Sequence, residues 1–280
     1  MKERRKFRLS WSLIISYIFL TILAVFAVFP FLWIVSTAIK SPGETTDNPI
    51  ALLPKDITFE NYIKAFSELG FGTNLLNSLF ISIATTIIAL IVSAMAAYAI
   101  VRFFPNAGKR LTKVLLMTYM FPPILLAVPF SIIFIQMGLI NTYIGLIIAY
   151  LSFSIPFAVW MLLSFFRTVP LEVEESASVD GANKIRVFIQ IVIPIVTPGL
   201  VATAIYTFIN AWNEFLFALI FINSSEKMTI SVALDALTGA EVLDWGVMMA
   251  ASSIVVLPTI IFFILIQNKI SGGISDGSIK

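Results

Sequence analysis

The 280-residue sequence contains no cysteine and no histidine. These absences exclude disulfides, thiol chemistry, structural zinc and histidine-based acid–base catalysis. Charge is scarce as well. Asp, Glu, Lys and Arg make up 12% of the chain, against about 25% in an ordinary soluble domain. A soluble fold of this length could bury a large core, but it would still need a charged surface, and this chain cannot cover one. Apolar residues, at 59%, suit a band of lipid contact, where nothing polar is required. The net charge of +2 gives no indication of a nucleic-acid partner.

The long gaps between charges locate the spans. Residues 9–39, 69–101, 114–166, 187–213 and 245–268 carry no Asp, Glu, Lys or Arg, and the apolar run around 213 continues past Glu214 to Phe221. A spanning helix needs about 20 residues. Four gaps hold one span each. The longest holds two, with Gly138-Leu139-Ile140-Asn141-Thr142 as the turn between them. The fold class expected is therefore all-α integral membrane, with six transmembrane helices over about 13–37, 73–100, 112–136, 144–166, 195–221 and 246–267. Pro122-Pro123, Pro129, Pro156 and Pro258 fall within three of these spans and predict kinks there. The first span is too long for a signal peptide and is expected to be retained.

Orientation follows from Lys and Arg. With six spans, both termini share a side. That side carries 14 basic residues (among them Lys2, Arg4, Arg5, Lys6, Arg8, Arg102, Lys109, Arg110, Arg167, Lys184 and Arg186), against 4 on the other, Lys40, Lys55, Lys64 and Lys227. Both termini are expected in the cytoplasm. Two outer segments have substance. Residues 40–71 include a short helix capped at Thr58. The acidic segment 222–245 is expected to touch an external partner.

One inner loop, 168–194, is longer than a connection between spans requires. Pro170 stands where a helix can begin without needing its missing donor. Glu172, Glu174 and Glu175 crowd the first turns, where the helix dipole favours negative charge. Gly181 can take a positive φ and stop that helix. A second helix starts near Asn183 and runs through Pro194 into the fifth span. An ordinary interfacial loop could carry the same features. The loop's excess length favours a docking knob.

Glu174-Glu175-Ser176-Ala177, Asp180-Gly181-Ala182 and Ile191-Val192-Ile193-Pro194 resemble the EAA loop of ABC importer permeases. That loop has a Glu-Ala-Ala triplet, a glycine one turn later and an Ile-x-Leu-Pro end. Ser176 and Ile193 are small or isosteric departures from it. Ala97 to Phe103, Gly138 to Thr142, Trp212-Asn213-Glu214-Phe215 and the tail from Ser271 to Lys280 resemble further stretches of the carbohydrate-uptake branch, the maltose-type six-span permeases. The resemblance implies a single transmembrane permease domain over residues 1–280, and a multi-pass protein of the cytoplasmic (inner) membrane. It implies half of a translocation pathway for a sugar, and no chemistry of its own. Residues 171–182 would form a coupling helix seated on a pair of ATP-binding cassette ATPase subunits. A second, different permease subunit and an extracytoplasmic solute-binding protein would complete the machine.

No cofactor is expected, ATP being bound by the ATPase subunits. Gly108-Lys109 lacks the earlier glycine and the hydroxyl residue of a phosphate loop. The coupling residues implied are Glu174, Glu175, Ser176, Ala177, Asp180, Gly181, Ala182 and Pro194. Glu214 is the one acid deep in an apolar run, where a charge is costly unless it faces a cavity or a partner. With Asn210, Trp212 and Asn213 it forms the substrate-path candidate set, although a structural role at a helix contact would explain Glu214 equally. Two other functions stay open at this level: the same importer for a non-sugar solute such as a phosphorylated polyol, and a secondary transporter. The second usually carries several intramembrane ionisable groups, and here Glu214 stands alone.

Overall fold

The computed structural model of the protein describes residues 11–48, 50–239 and 244–275. The basic N-terminal cluster Lys2 to Arg8, Glu241, and the tail Ser278 to Lys280 lie outside them. Among the described residues every extended regular element is helical, apart from one isolated backbone bridge between Lys40 and Ile57. Among the described residues, four helices are long and apolar enough to cross a membrane: α1 (Trp11–Ala38), α4 (Phe71–Arg102), α7 (Tyr143–Phe166) and, over Trp245–Ile264, α14 (Trp245–Ser275). Two bent pairs bring the number to six if each pair counts as one span.

The chain divides into two compact units. The first comprises residues up to Leu69 together with 240–254. Here α1 buries only Thr37 and Ala38, as expected of a helix whose neighbours are lipid. At its end the chain folds into α2 (Pro42–Asp47) and α3 (Glu60–Ser67). The cap expected at Thr58 falls one residue later, at Phe59, while the Thr58 hydroxyl accepts from the Glu60 N–H at 3.1 Å just before α3. Asn61 ties this unit together. Its buried amide donates to the carbonyls of Ala38 at 2.9 Å and Lys40 at 2.8 Å. Gly246, at the start of α14, lies so close to that amide that a Cβ would meet it at 2.6 Å. Lys40 is fully buried, its ammonium donating to the Ala51 carbonyl and lying 5.8 Å from the Trp33 ring centroid.

The second unit comprises residues 70–239 and 255 onward. It is organised around α4. The buried face of α4 recurs at helical spacing and is mostly small and polar: Asn74, Asn77, Ser78, Ser82, Thr85, Thr86, Ala89, Ser93 and Ala97. Its outward face carries Leu76, Phe80, Ile83, Ile87, Ile91 and Met95. Lipid is as apolar as leucine, so small residues that permit close backbone approach mark the packed side. α7 and α11 (Thr197–Trp212) pack there. On α11, Gly199 abuts the Phe165 ring, and a Cβ would meet that ring at 2.3 Å.

Two stretches read as single spans in the sequence are broken. Over 112–136 the chain forms α5 (Pro105–Tyr119) and α6 (Pro123–Gln136), bent by 89°. Pro122 is held extended before Pro123, which disfavours helix at that point. Over 195–221, α11 stops at Trp212, and a short α12 (Leu216–Phe221) follows after three residues outside the helices. By contrast Pro30, Pro129, Pro156 and Pro258 sit inside unbroken helices. The 138–142 turn forms as expected, with Gly138 and Asn141 at φ 68° and 58°. The Thr142 hydroxyl caps α7 by accepting from the Gly145 N–H at 3.0 Å.

Candidate functional site

The inner loop contains two helices. α8 (Leu171–Val179) follows Pro170, and Gly181, at φ 86°, turns the chain. The Asn183 side chain then caps α9 (Lys184–Val187) by accepting from the Arg186 N–H at 2.9 Å. A five-residue π-helical turn (Phe188–Val192) and a short α10 (Ile193–Ile195) follow. Pro194 has no N–H, and its ring excludes the carbonyl one turn back. The widened turn accommodates that loss. This second helix does not run straight into the fifth span. It meets α11 at an angle of 77°, across Val196.

The glutamates of α8 divide between two environments. Glu174 is buried and points back into its own chain. Its carboxylate accepts from Arg102 Nε at 2.6 Å and from the Tyr98 hydroxyl at 2.7 Å. Arg102 also donates to the Val169 carbonyl at 2.7 Å. The end of α4 thus holds both the entry to α8 and its first turn. Ala177 buries beside Glu174, against Val187, Val192 and Phe166. The Phe188 ring packs on Tyr98, with centroids 4.9 Å apart, and stacks on Phe166. Glu175, Ser176, Asp180 and Gly181 face outward, Ala182 is partly covered, and Pro194 is exposed. Leu171, Val173, Val179 and Ile185 add an exposed apolar surface around them, with Val179 88% exposed.

A second feature is a cavity of about 340 Å³. It lies where the α5–α6 corner, α7 and the break between α11 and α12 meet. Asn210 and Glu214 line it. Glu214 also caps α12, accepting from the N–H groups of Phe217 at 2.8 Å and Ala218 at 3.2 Å. The same carboxylate thus lines a cavity and caps a helix. Trp212 lies elsewhere. It is 1% exposed, donates from its indole to the Val255 carbonyl at 3.1 Å and stacks on Phe208. Asn213 is exposed outside the cavity and donates back to Ile209 at 2.9 Å. One helical turn separates Asn210 from Glu214, so those two share a face, whereas Trp212 and Asn213 are rotated away from it.

The segment after α12, which leads into α13 (Ile230–Ala236), is strapped to two span ends. Asn141 accepts from the Asn223 and Ser224 N–H groups, and Lys227 donates to its carbonyl at 2.8 Å. The Asn77 amide donates to the carbonyls of Glu226 and Met228.

Residues 89–275 match the family model for the binding-protein-dependent transport system inner membrane component. The chain belongs to that family. The match includes both the α8–α9 loop and the cavity. The chain is also 37% identical over 263 residues to the trehalose transport system permease SugB of Mycobacterium tuberculosis, covering 93% of this chain and 95% of the relative. It is 34% identical over 270 residues to the diacetylchitobiose uptake permease NgcG of Streptomyces coelicolor, covering 95% and 88%. A crystal structure of a bacterial ABC transporter that imports the acidic polysaccharide alginate has the same fold. It gives a TM-score of 0.78 at 24% identity and covers 91% of this chain and 95% of that one. The protein is thus a multi-pass inner-membrane permease component of a binding-protein-dependent ABC importer.

Several residues of this permease's loop and cavity are not apparent from sequence reasoning. Tyr98 and Arg102 lie in the family-like stretch Ala97 to Phe103, but nothing in the sequence pairs them with Glu174. The signal was Arg102's place as the first charge after an apolar run. Tyr119 and Tyr150, which line the cavity, have no sequence signal beyond being polar-tipped aromatics within spans.

Proposed function

We propose that this chain, acting as one permease domain, forms half of the path by which a carbohydrate crosses the inner membrane, and that α8 is the element through which ATP hydrolysis drives it. The observation that carries the coupling role is the division of α8. One face is locked into its own chain by Glu174 and Ala177, and the other presents Leu171, Val173, Glu175 and Val179 outward. A helix fixed on one side and bare on the other can transmit a push as a rigid body. The apolar part of the bare face suits burial in a cleft of an ATPase subunit.

The sugar assignment rests on the relatives, named for diacetylchitobiose, trehalose and trehalose/maltose. A pair of ATPase subunits, a second permease chain and an extracytoplasmic binding protein complete the assembly. The segment 222–245 is the proposed contact for the binding protein. Chemistry on ATP belongs to the ATPase subunits. The 14-to-4 division of basic residues supports a cytoplasmic side for both termini.

Because the chain has no cysteine, an introduced thiol is unique within it. In the assembled importer in vesicles, Val179→Cys should react with a membrane-impermeant maleimide only from the cytoplasmic side. Stripping off the ATPase subunits should raise that reactivity. Equal labelling with and without the ATPase would refute docking at α8, and labelling from outside would refute the orientation.

A further inference from the structure

The cavity beside Glu214 has a chemistry that narrows what can occupy it. Its polar groups are the Tyr119 and Tyr150 hydroxyls, Ser154, Asn210 and the Glu214 carboxylate, and its apolar wall includes Phe153. Among the described residues lining it, none is Lys or Arg. Glu214 sits in an apolar run, where a carboxylate facing lipid is costly. Its two oxygens each accept one backbone N–H, which leaves lone pairs open for further donors. The Tyr150 side chain is buried and lines the same cavity, with its hydroxyl beside the Glu214 carboxylate.

We propose that this cavity is a subsite for an uncharged, hydroxyl-rich sugar ring within the translocation path. Sugar hydroxyls both donate and accept, matching a carboxylate, an amide and two phenols at once. The rings of Tyr119 and Phe153 offer apolar surface to the C–H face of a pyranose. An anionic solute, such as a uronate or a phosphorylated polyol, would meet the Glu214 carboxylate with no cation to offset it. The volume, about 340 Å³, is at the small end of ligand pockets, so it takes a ring at a time rather than an extended chain.

The proposal rests on the carbohydrate reading, and the experiment separates the two. The complete importer with its binding protein is reconstituted in liposomes. Uptake of maltose, trehalose, diacetylchitobiose and glycerol 3-phosphate is measured alongside ATP hydrolysis, for wild type and for Tyr150→Phe, Glu214→Gln and Asn213→Ala. Phenylalanine keeps the Tyr150 ring packing, glutamine keeps an acceptor for the α12 cap, and Asn213 lies outside the cavity. The expected result is that wild type imports at least one of the three sugars. Tyr150→Phe and Glu214→Gln should each lower sugar moved per ATP by about three- to tenfold, the worth of one hydrogen bond. Binding-protein-stimulated hydrolysis and the Asn213→Ala variant should stay at wild-type level. Import of a sugar with both cavity variants unchanged would overturn the subsite alone. Import of glycerol 3-phosphate and of none of the sugars would overturn the subsite and the carbohydrate reading together.

Discussion

Replacing Glu174 with alanine would remove the group that joins α8 to the end of α4. Three interactions depend on it: the hydrogen bond from Arg102 Nε, that from the Tyr98 hydroxyl, and the ion pair with the Arg102 guanidinium. The paired side chains are 14% and 9% exposed, so water replaces little of what is lost. Removing one member of a buried pair costs about 3–5 kcal/mol, mostly for the charge left behind. Arg102 keeps its bond to the Val169 carbonyl, which argues for the lower end, about 3 kcal/mol. That corresponds to roughly a hundredfold change in the equilibrium for local opening. Hydrogen exchange of residues 171–182 in the assembled importer should therefore accelerate by about that factor, with the amides of α7 unchanged. Uptake should fall more than ATP hydrolysis, because a loose lever no longer transmits the closure. A double-mutant cycle adds a check. Glu174→Leu with Arg102→Met should be less damaging than the sum of the two single changes, since neither charge is then stranded. Additive losses, or native exchange rates in the Glu174→Ala protein, would refute the reasoning.

Further outcomes follow from the same geometry. Gly181→Val forces a β-branched residue to φ 86°, beyond the cost of about 1–2 kcal/mol for an ordinary L-residue in that region. Transport should be crippled with the protein still in the membrane, as uptake and membrane immunoblots would reveal. Gly199→Ala drives a methyl into the Phe165 ring and should lower thermal stability in detergent by about 1–3 kcal/mol, with Phe165→Leu restoring part of it. Asn141→Ala removes the acceptor for Asn223 and Ser224 and strains a residue at φ 58°. Proteolysis of the 222–230 segment should quicken as a result.

Charge placement made the apolar stretches legible, because a charge can hardly be left in lipid; four of them form long spanning helices and two form bent pairs. It could not show where a span breaks. Of the prolines in apolar runs, Pro129, Pro156 and Pro258 are absorbed into continuous helices, whereas Pro122-Pro123 turns the chain through 89°. Tertiary neighbours decide between those outcomes, and they are invisible in a local window. The α8–Gly181–α9 shape was legible because a proline start, an acidic first turn and a positive-φ glycine are local signals. The inward turn of Glu174 was not. It depends on Arg102 and Tyr98, more than seventy residues earlier in the chain. The same limit placed Trp212 with Asn210 and Glu214 as path residues. Adjacency in sequence put them together, while the helical rotation buries Trp212 on the opposite side against Phe208. The polar inner stripe of α4 was present in the sequence at helical spacing, and its meaning is inverted relative to a soluble helix.

The most direct test of the central claim is solute uptake into liposomes holding the complete importer, with ATP inside and outside the vesicles varied independently. Uptake of a neutral disaccharide that requires both the external binding protein and ATP on the α8 side, and that ignores proton and sodium gradients, is the predicted result. Uptake without ATP, or uptake driven by an ion gradient, would contradict the account.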